Sequence, residues 1–410
     1  MQTKHVLLAS FALFLTSTAL TAADWPQWRG PNRDDVSSEQ GLLKHWPQGG
    51  PPLAWKATGA GAGFGGVAVA GDKVFTVGDK GDSSFAIALN LADGSAVWTA
   101  KLGKAGGDPS GPRSTPTVDG DRVYVLNQFG DLVCLETSTG APVWSRSLQK
   151  EFGGRCGGWM FSESPLVDGE RLICTPGSER GSIVAFNRKN GQVLWQTKGL
   201  TDPAEYSSPI AAQIGGVWQY IQLTGENVVG IQADSGQVLW RAPRQGETAT
   251  VPTPIFYEDD VYVSSGYGVG CNLFHIGKSG GSYQAQQVYA NKVMVNHHGG
   301  VVRVGDYLYG YSDGKGWVCQ DFKTGRLVWS DKGVGKGSLT CADGHLYLRS
   351  ESGPGTIALV EATPDRYTEL GRFDPPDRSQ EPGWSHPVIA GGRLYLRDQD
   401  VILSYNVSGK

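Results

Sequence analysis

The strongest constraint on this chain is a pattern that returns about every 46 residues. A Ser/Thr-Pro step leads into a short apolar run, a Gly/Asp turn and an apolar-Tyr strand. A further apolar strand and a Gly-x-x-x-Trp ending complete the unit. The fullest copy runs from Thr115-Pro116 through Asp119-Gly120, Val123-Tyr124 and Leu132-Val133-Cys134-Leu135 to Gly140-Ala141-Pro142-Val143-Trp144. Others run from Ser164-Pro165 to Gly191 and Trp195, and from Ser208-Pro209 to Gly236 and Trp240. The first-turn markers Gly71, Gly120, Gly169, Gly215, Asp260, Gly305, Gly344 and Gly391 number eight copies. Four short strands in roughly 40 to 50 residues are the mark of a propeller blade. Proline is harmless where it opens an innermost strand, and Asp-Gly or Gly-Gly supplies the positive φ of a tight hairpin. A terminal Trp between neighbouring blades buries about 150 to 250 Å².

The copies decay unevenly. Blade five ends in Tyr283 and Tyr289, and blade seven carries Tyr367 where Trp would stand. Blade eight, from Ser385 to Tyr405, lacks a fourth strand, whereas Pro52-Leu53-Ala54-Trp55-Lys56 is a Trp strand with no blade of its own. The economical solution is that this N-terminal strand completes blade eight and seals the ring, removing the exposed edges of a linear array. The expected organisation is a signal peptide over 1–23, an N-terminal extension over 24–50 and one all-β, eight-bladed propeller over 51–410.

Composition narrows the partners. With 59 Gly and 22 Pro among 410 residues, no long stretch suits a helical bundle, while 13 Trp, 15 Tyr and 13 Phe are ample for a core. A net charge of −4 gives no basic footprint for nucleic acid. Lys4, the apolar run Val6–Leu15 and small residues at Thr21-Ala22-Ala23 read as a secretory signal, so an exported, periplasmic or extracellular location is expected. That run is too short to span a bilayer, and no later segment could. The six cysteines are scattered without a C-x-x-C, so c-type haem attachment and zinc ribbons are excluded. Cys134 and Cys319 occupy small-residue packing positions. Cys156 and Cys174 flank one inner hairpin, and whether they pair stays open.

With their preceding apolar runs, the Gly-x-x-x-Trp endings resemble the repeats of pyrroloquinoline-quinone (PQQ) type propellers, over about residues 50 to 405. The opening Asp24-Trp25-Pro26-Gln27-Trp28-Arg29-Gly30-Pro31 looks like that of secreted PQQ-like proteins of planctomycete-type bacteria. His297-His298-Gly299-Gly300 and Gly314–Asp321 look similar to that group too. The resemblance implies a quinoprotein alcohol dehydrogenase-like fold and two opposed functions. One is a cofactor-free scaffold, as in the propeller lipoprotein of the outer-membrane assembly machine. The other is a dehydrogenase oxidising an alcohol or sugar with PQQ, Ca²⁺ and a catalytic aspartate. This chain is shorter than the dehydrogenases and has no two adjacent cysteines, the pair that often forms the disulfide stacked on the quinone.

In a propeller, the loops entering the innermost strands meet at one mouth of the axial channel. Here they carry Phe64, Arg113, Arg155, Trp159, Glu205, Tyr206, Thr250, His297, His298, Lys336, Trp384 and His386. Arg113, Lys336, His297, His298 and His386 converging with Trp159 and Trp384 would suit a planar polyanion such as PQQ, through paired hydrogen bonds and stacking. The same residues would equally plug the channel or present a surface to an envelope protein or polysaccharide. The three histidines match no metal-ligand spacing, and neither Glu163 nor Glu205 is singled out as a catalytic base. Gly61–Gly66 fits G-x-G-x-x-G, and Gly277–Gly281 fits G-x-S-x-G, but neither is followed by the helix those motifs need. A binding or scaffolding module, monomeric and without an assigned cofactor, is the favoured reading; the PQQ/Ca²⁺ dehydrogenase is the alternative.

Overall fold

The structure, a computed structural model, describes residues 24–409; the expected signal peptide lies outside the described residues. Eight sheets, each with four antiparallel strands and one of them extended by a fifth, parallel strand, follow one another around a ring. Blade one spans Ala68–Lys104 and blade two Thr117–Ser147, each ordered from the innermost strand outward. Blade eight is closed by the N-terminal strand Leu53–Ala57, which lies antiparallel to Val401–Asn406 with Trp55 opposite Ser404. Among the described residues one short helix, Leu148–Phe152, interrupts this pattern, capped by Ser147 and by the left-handed Gly153.

The repeat motif has a plain physical logic. The glycine of a Gly-x-x-x-Trp ending lies against the aromatic ring that ends the preceding blade, most often an indole. A Cβ on Gly94 would sit 2.6 Å from Trp55, one on Gly140 2.6 Å from Trp98, and one on Gly191 2.7 Å from Trp144. All three have positive φ, so glycine is required twice over. Each indole N–H then donates to a carbonyl of the next blade: Trp55 to Leu91, Trp98 to Thr137, Trp144 to Arg188 and Trp195 to Ala233, at 2.9–3.0 Å. Blade five departs as its sequence does. Tyr289 takes the Trp position, its hydroxyl donating to Phe322 O at 2.9 Å beneath Gly325. Blade five offers no such glycine to Trp240, which turns inward and donates to Gln219 Oε1 at 2.8 Å. Cys134 and Cys319 are fully buried packing residues, and all six thiols are unpaired.

The N-terminal extension is not appended to the ring; it threads its axis. It enters and leaves by the face opposite the mouth, where Asp24 accepts from Gly71 N at 3.2 Å and Glu39 accepts from Gly391 and Gly392 N–H. Between these points it touches seven blades. Trp25 exchanges hydrogen bonds with Val69, and Pro26 O accepts from Val118 N. Arg33 donates to the carbonyls of Ser164 and Pro165, Trp28 to Thr253 Oγ1, and Arg29 to Val301 O. Val36–Ser37 pairs in parallel with Cys341–Ala342, and Asp35 reaches His386. Arg29, Arg33 and Asp35 adopt left-handed backbone conformations, which a loop wound this tightly requires.

Candidate functional site

At the mouth the innermost-strand loops and the tip of the axial loop enclose a cavity of ≈ 220 Å³. Arg113, Trp159, His297, His298 and Trp384 line it, together with Phe64 and Tyr206. Trp28, on the axial loop, and Tyr267 line it as well. Phe64 and Trp384 pack with ring centroids 4.7 Å apart, and Trp159 meets Tyr206 edge-on at 5.9 Å. His297 lies between Tyr267 (4.7 Å) and His298 (4.6 Å), and His298 lies 5.3 Å from Trp384. The lining is thus mostly aromatic, with few polar atoms.

The charged side chains around it are largely committed. Lys336 sits one layer behind, its Nζ 3.0 Å from His297 Nδ1 and 3.0 Å from Asp313 Oδ1. An ammonium donating to Nδ1 leaves that ring nitrogen as a lone-pair acceptor, so His297 is a neutral imidazole. Burial, reinforced by His298 and Lys336, pushes its pKa down to about 4. Burial also holds His298 below the usual histidine range, against the pull of Glu351 2.6 Å from its Nε2. His386 lies beneath, its ring tilted against Trp28 at 4.5 Å, with Nδ1 2.9 Å from Asp35 Oδ2 and Nε2 3.1 Å from His298 O. Arg155 is directed along the rim to Thr201 O and Glu179. Burial raises the pKa of Glu205, which accepts from Thr250 N at 3.3 Å behind the wall.

Arg113 differs from these. Its guanidinium donates to the carbonyls of Gly111 and Pro109 and lies 6.0 Å from the Phe64 ring. It has no carboxylate at ion-pair distance among the described residues.

Of the seven candidate ligand-site residues among those expected at the mouth, five line the cavity, Lys336 backs it and His386 anchors its floor. Trp28 and Tyr267 went unassigned. Trp28 belongs to a segment whose path is invisible to blade periodicity, and Tyr267 sits on a second-strand loop of blade five rather than on an innermost-strand loop. These residues fit PQQ and Ca²⁺ poorly. Among the described residues, a tricarboxylate would meet one free cation and two neutral imidazoles. The described residues also bring together no group of three or more His, Cys, Asp or Glu disposed around a metal ion.

Comparison with known proteins places the fold. The family model described as outer membrane protein assembly factor BamB matches residues 82–278. A curated protein of that name from Shewanella oneidensis is 23% identical over 265 residues, 61% of this chain and 64% of its own length. The match therefore spans less than two thirds of that relative. Among solved structures, the quinohemoprotein alcohol dehydrogenase of Comamonas testosteroni superposes with a TM-score of 0.66 at 12% identity, covering 95% of this chain and 81% of that one. The computationally designed Ika8 protein gives 0.62 at 11% identity, covering 87% of this chain and all of its own. At such identities the structural likeness is one of fold alone.

Proposed function

For a chain that is a β-propeller of PQQ-type repeats, we propose the role of an exported binding or scaffolding module of the cell envelope, with the mouth cavity as its ligand site. One observation carries this reading: the axial loop turns the channel into a blind, aromatic-walled receptacle that, among the described residues, no carboxylate cluster faces. Such a cavity holds a guest by burying apolar surface and orients it with a few polar groups. Oxidation of an alcohol would require a metal-bound quinone, and among the described residues no metal-ligating group gathers at the mouth to hold one. The assembly-factor name of the relatives agrees with a scaffold, and an envelope protein or polysaccharide is the class of partner it suggests. Among the described residues no helix is long and apolar enough to cross a membrane.

The test is a titration of the purified chain with PQQ, with and without Ca²⁺, followed by tryptophan fluorescence. The expected result is no Ca²⁺-dependent saturation below about millimolar, where binding is worth only about 4 kcal/mol. Micromolar, Ca²⁺-dependent quenching that disappears in Arg113→Ala or Trp384→Ala would replace this reading with the dehydrogenase. Export is tested by fusing residues 1–40 to a reporter that is active only outside the cytoplasm.

A further inference from the structure

The charge pattern of the cavity narrows the guest further, and this step rests on the mouth cavity being the binding site. An apolar cavity of about 150 Å³ holds one benzene, so ≈ 220 Å³ takes a single or small fused ring with one side group. Trp28, Trp159 and Trp384 offer ring faces and edges to such a guest. A sugar of similar size would need many more hydrogen-bond partners than these walls provide.

Sign follows from Arg113. Among the described residues lining the cavity it alone bears a permanent charge. Its two hydrogen bonds go to backbone carbonyls, so about three of its five N–H donors stay unused. Lys336 is matched by Asp313, Glu351 is hydrogen-bonded to His298, and the carboxylates of Asp79 and Asp108 act on Arg113 only from beyond ion-pair distance. An aromatic box of this kind would otherwise attract a cation, but the guanidinium repels one. We propose that the cavity binds a flat aromatic ring carrying a single carboxylate, with Arg113 as the counter-charge and Trp384 as the wall. A trianion such as PQQ is disfavoured by the same count.

The experiment compares four probes by calorimetry: indole-3-acetate (anion), indole-3-acetamide (neutral), tryptamine (cation) and PQQ. The acetate should bind tightest. Arg113→Gln should weaken the acetate by about tenfold or more and leave the acetamide unchanged, and Trp384→Ala should weaken both. Should Arg113→Gln fail to fold, the wild-type chain answers instead. Its affinity for the acetate, and not for the acetamide, should fall as salt rises from about 0.05 to about 0.5 M. Equal binding of acetate and acetamide, or tighter tryptamine or PQQ, overturns the charge assignment while leaving the cavity as a site. Failure of all four probes up to about millimolar overturns the cavity reading itself.

Discussion

Replacing Asp35 with alanine probes how firmly the axial loop is held. Asp35 is fully buried, and its Oδ2 lies 3.1 Å from Arg29 Nε and 2.9 Å from His386 Nδ1. The alanine variant leaves the Arg29 guanidinium in the channel with only the carbonyls of Val301 (2.6 Å) and Asp34 (3.2 Å). Removing one member of a buried ion pair costs about 3–5 kcal/mol. The two remaining acceptors argue for the lower end, about 3 kcal/mol, which is roughly a hundredfold in an opening equilibrium. The cost falls on docking of the loop, because the blades keep their own ladders and indole contacts. Hydrogen exchange reads it directly. The amides of Trp25, Val69, Val118 and Cys341 donate to or across the loop at 2.7–2.8 Å and exchange only when it leaves. In Asp35→Ala they should exchange about a hundredfold faster, with Val123, Val133 and Leu135 of blade two unchanged. The double variant Arg29→Met/Asp35→Leu, which removes both charges, should recover most of the protection. Unchanged protection at the four amides, or an equal loss in every blade, would refute the reasoning.

Other expectations follow from the same geometry. Trp55→Ala, which removes the buried indole at the ring closure, should destabilise by about 3–5 kcal/mol in thermal or denaturant unfolding, against less than about 0.5 kcal/mol for the exposed Val97→Ala. Gly94→Ala should mimic part of that loss, since its Cβ would strike Trp55 and its φ of +74° disfavours any side chain. Burial raises Glu163 from 4.5 to about 7, so the folded state binds the extra proton and stability is lost as pH rises through that window. Melting curves from pH 4.5 to 7 should flatten in Glu163→Gln. His297 has the opposite sign: its folded pKa of about 4 lies below 6.5, so the unfolded chain takes up the proton and stability falls as pH drops from 6.5 to about 4. His297→Gln should soften that acid loss, and an unaltered acid limb would show that the imidazole is not held neutral.

The ring was legible in the sequence because every feature that builds it is local or periodic. A Gly at the first turn, a Tyr on the second strand and a Gly-x-x-x-Trp ending each perform one geometric task, and the task repeats with the blade. Even the closure by Trp55 could be inferred, because a strand without a blade and a blade without a strand leave one solution. Much of the mouth followed from that register, since equivalent loops must meet at one end of the axis. The axial loop did not follow. Residues 24–50 carry no repeat, and their partners are mostly carbonyls and amides, groups present along the whole chain, with a few side chains such as Thr253 and His386. Arg29 and Arg33 are each at most 3% exposed, and nothing in the sequence marks either as buried. Nor could composition foretell that Lys336 is matched by Asp313, or that burial, reinforced by His298 and that ammonium, keeps His297 neutral. Periodicity therefore determined the architecture by itself, whereas the charge and depth of the cavity were decided by tertiary structure, because they depend on which distant side chain fills or neutralises the axis.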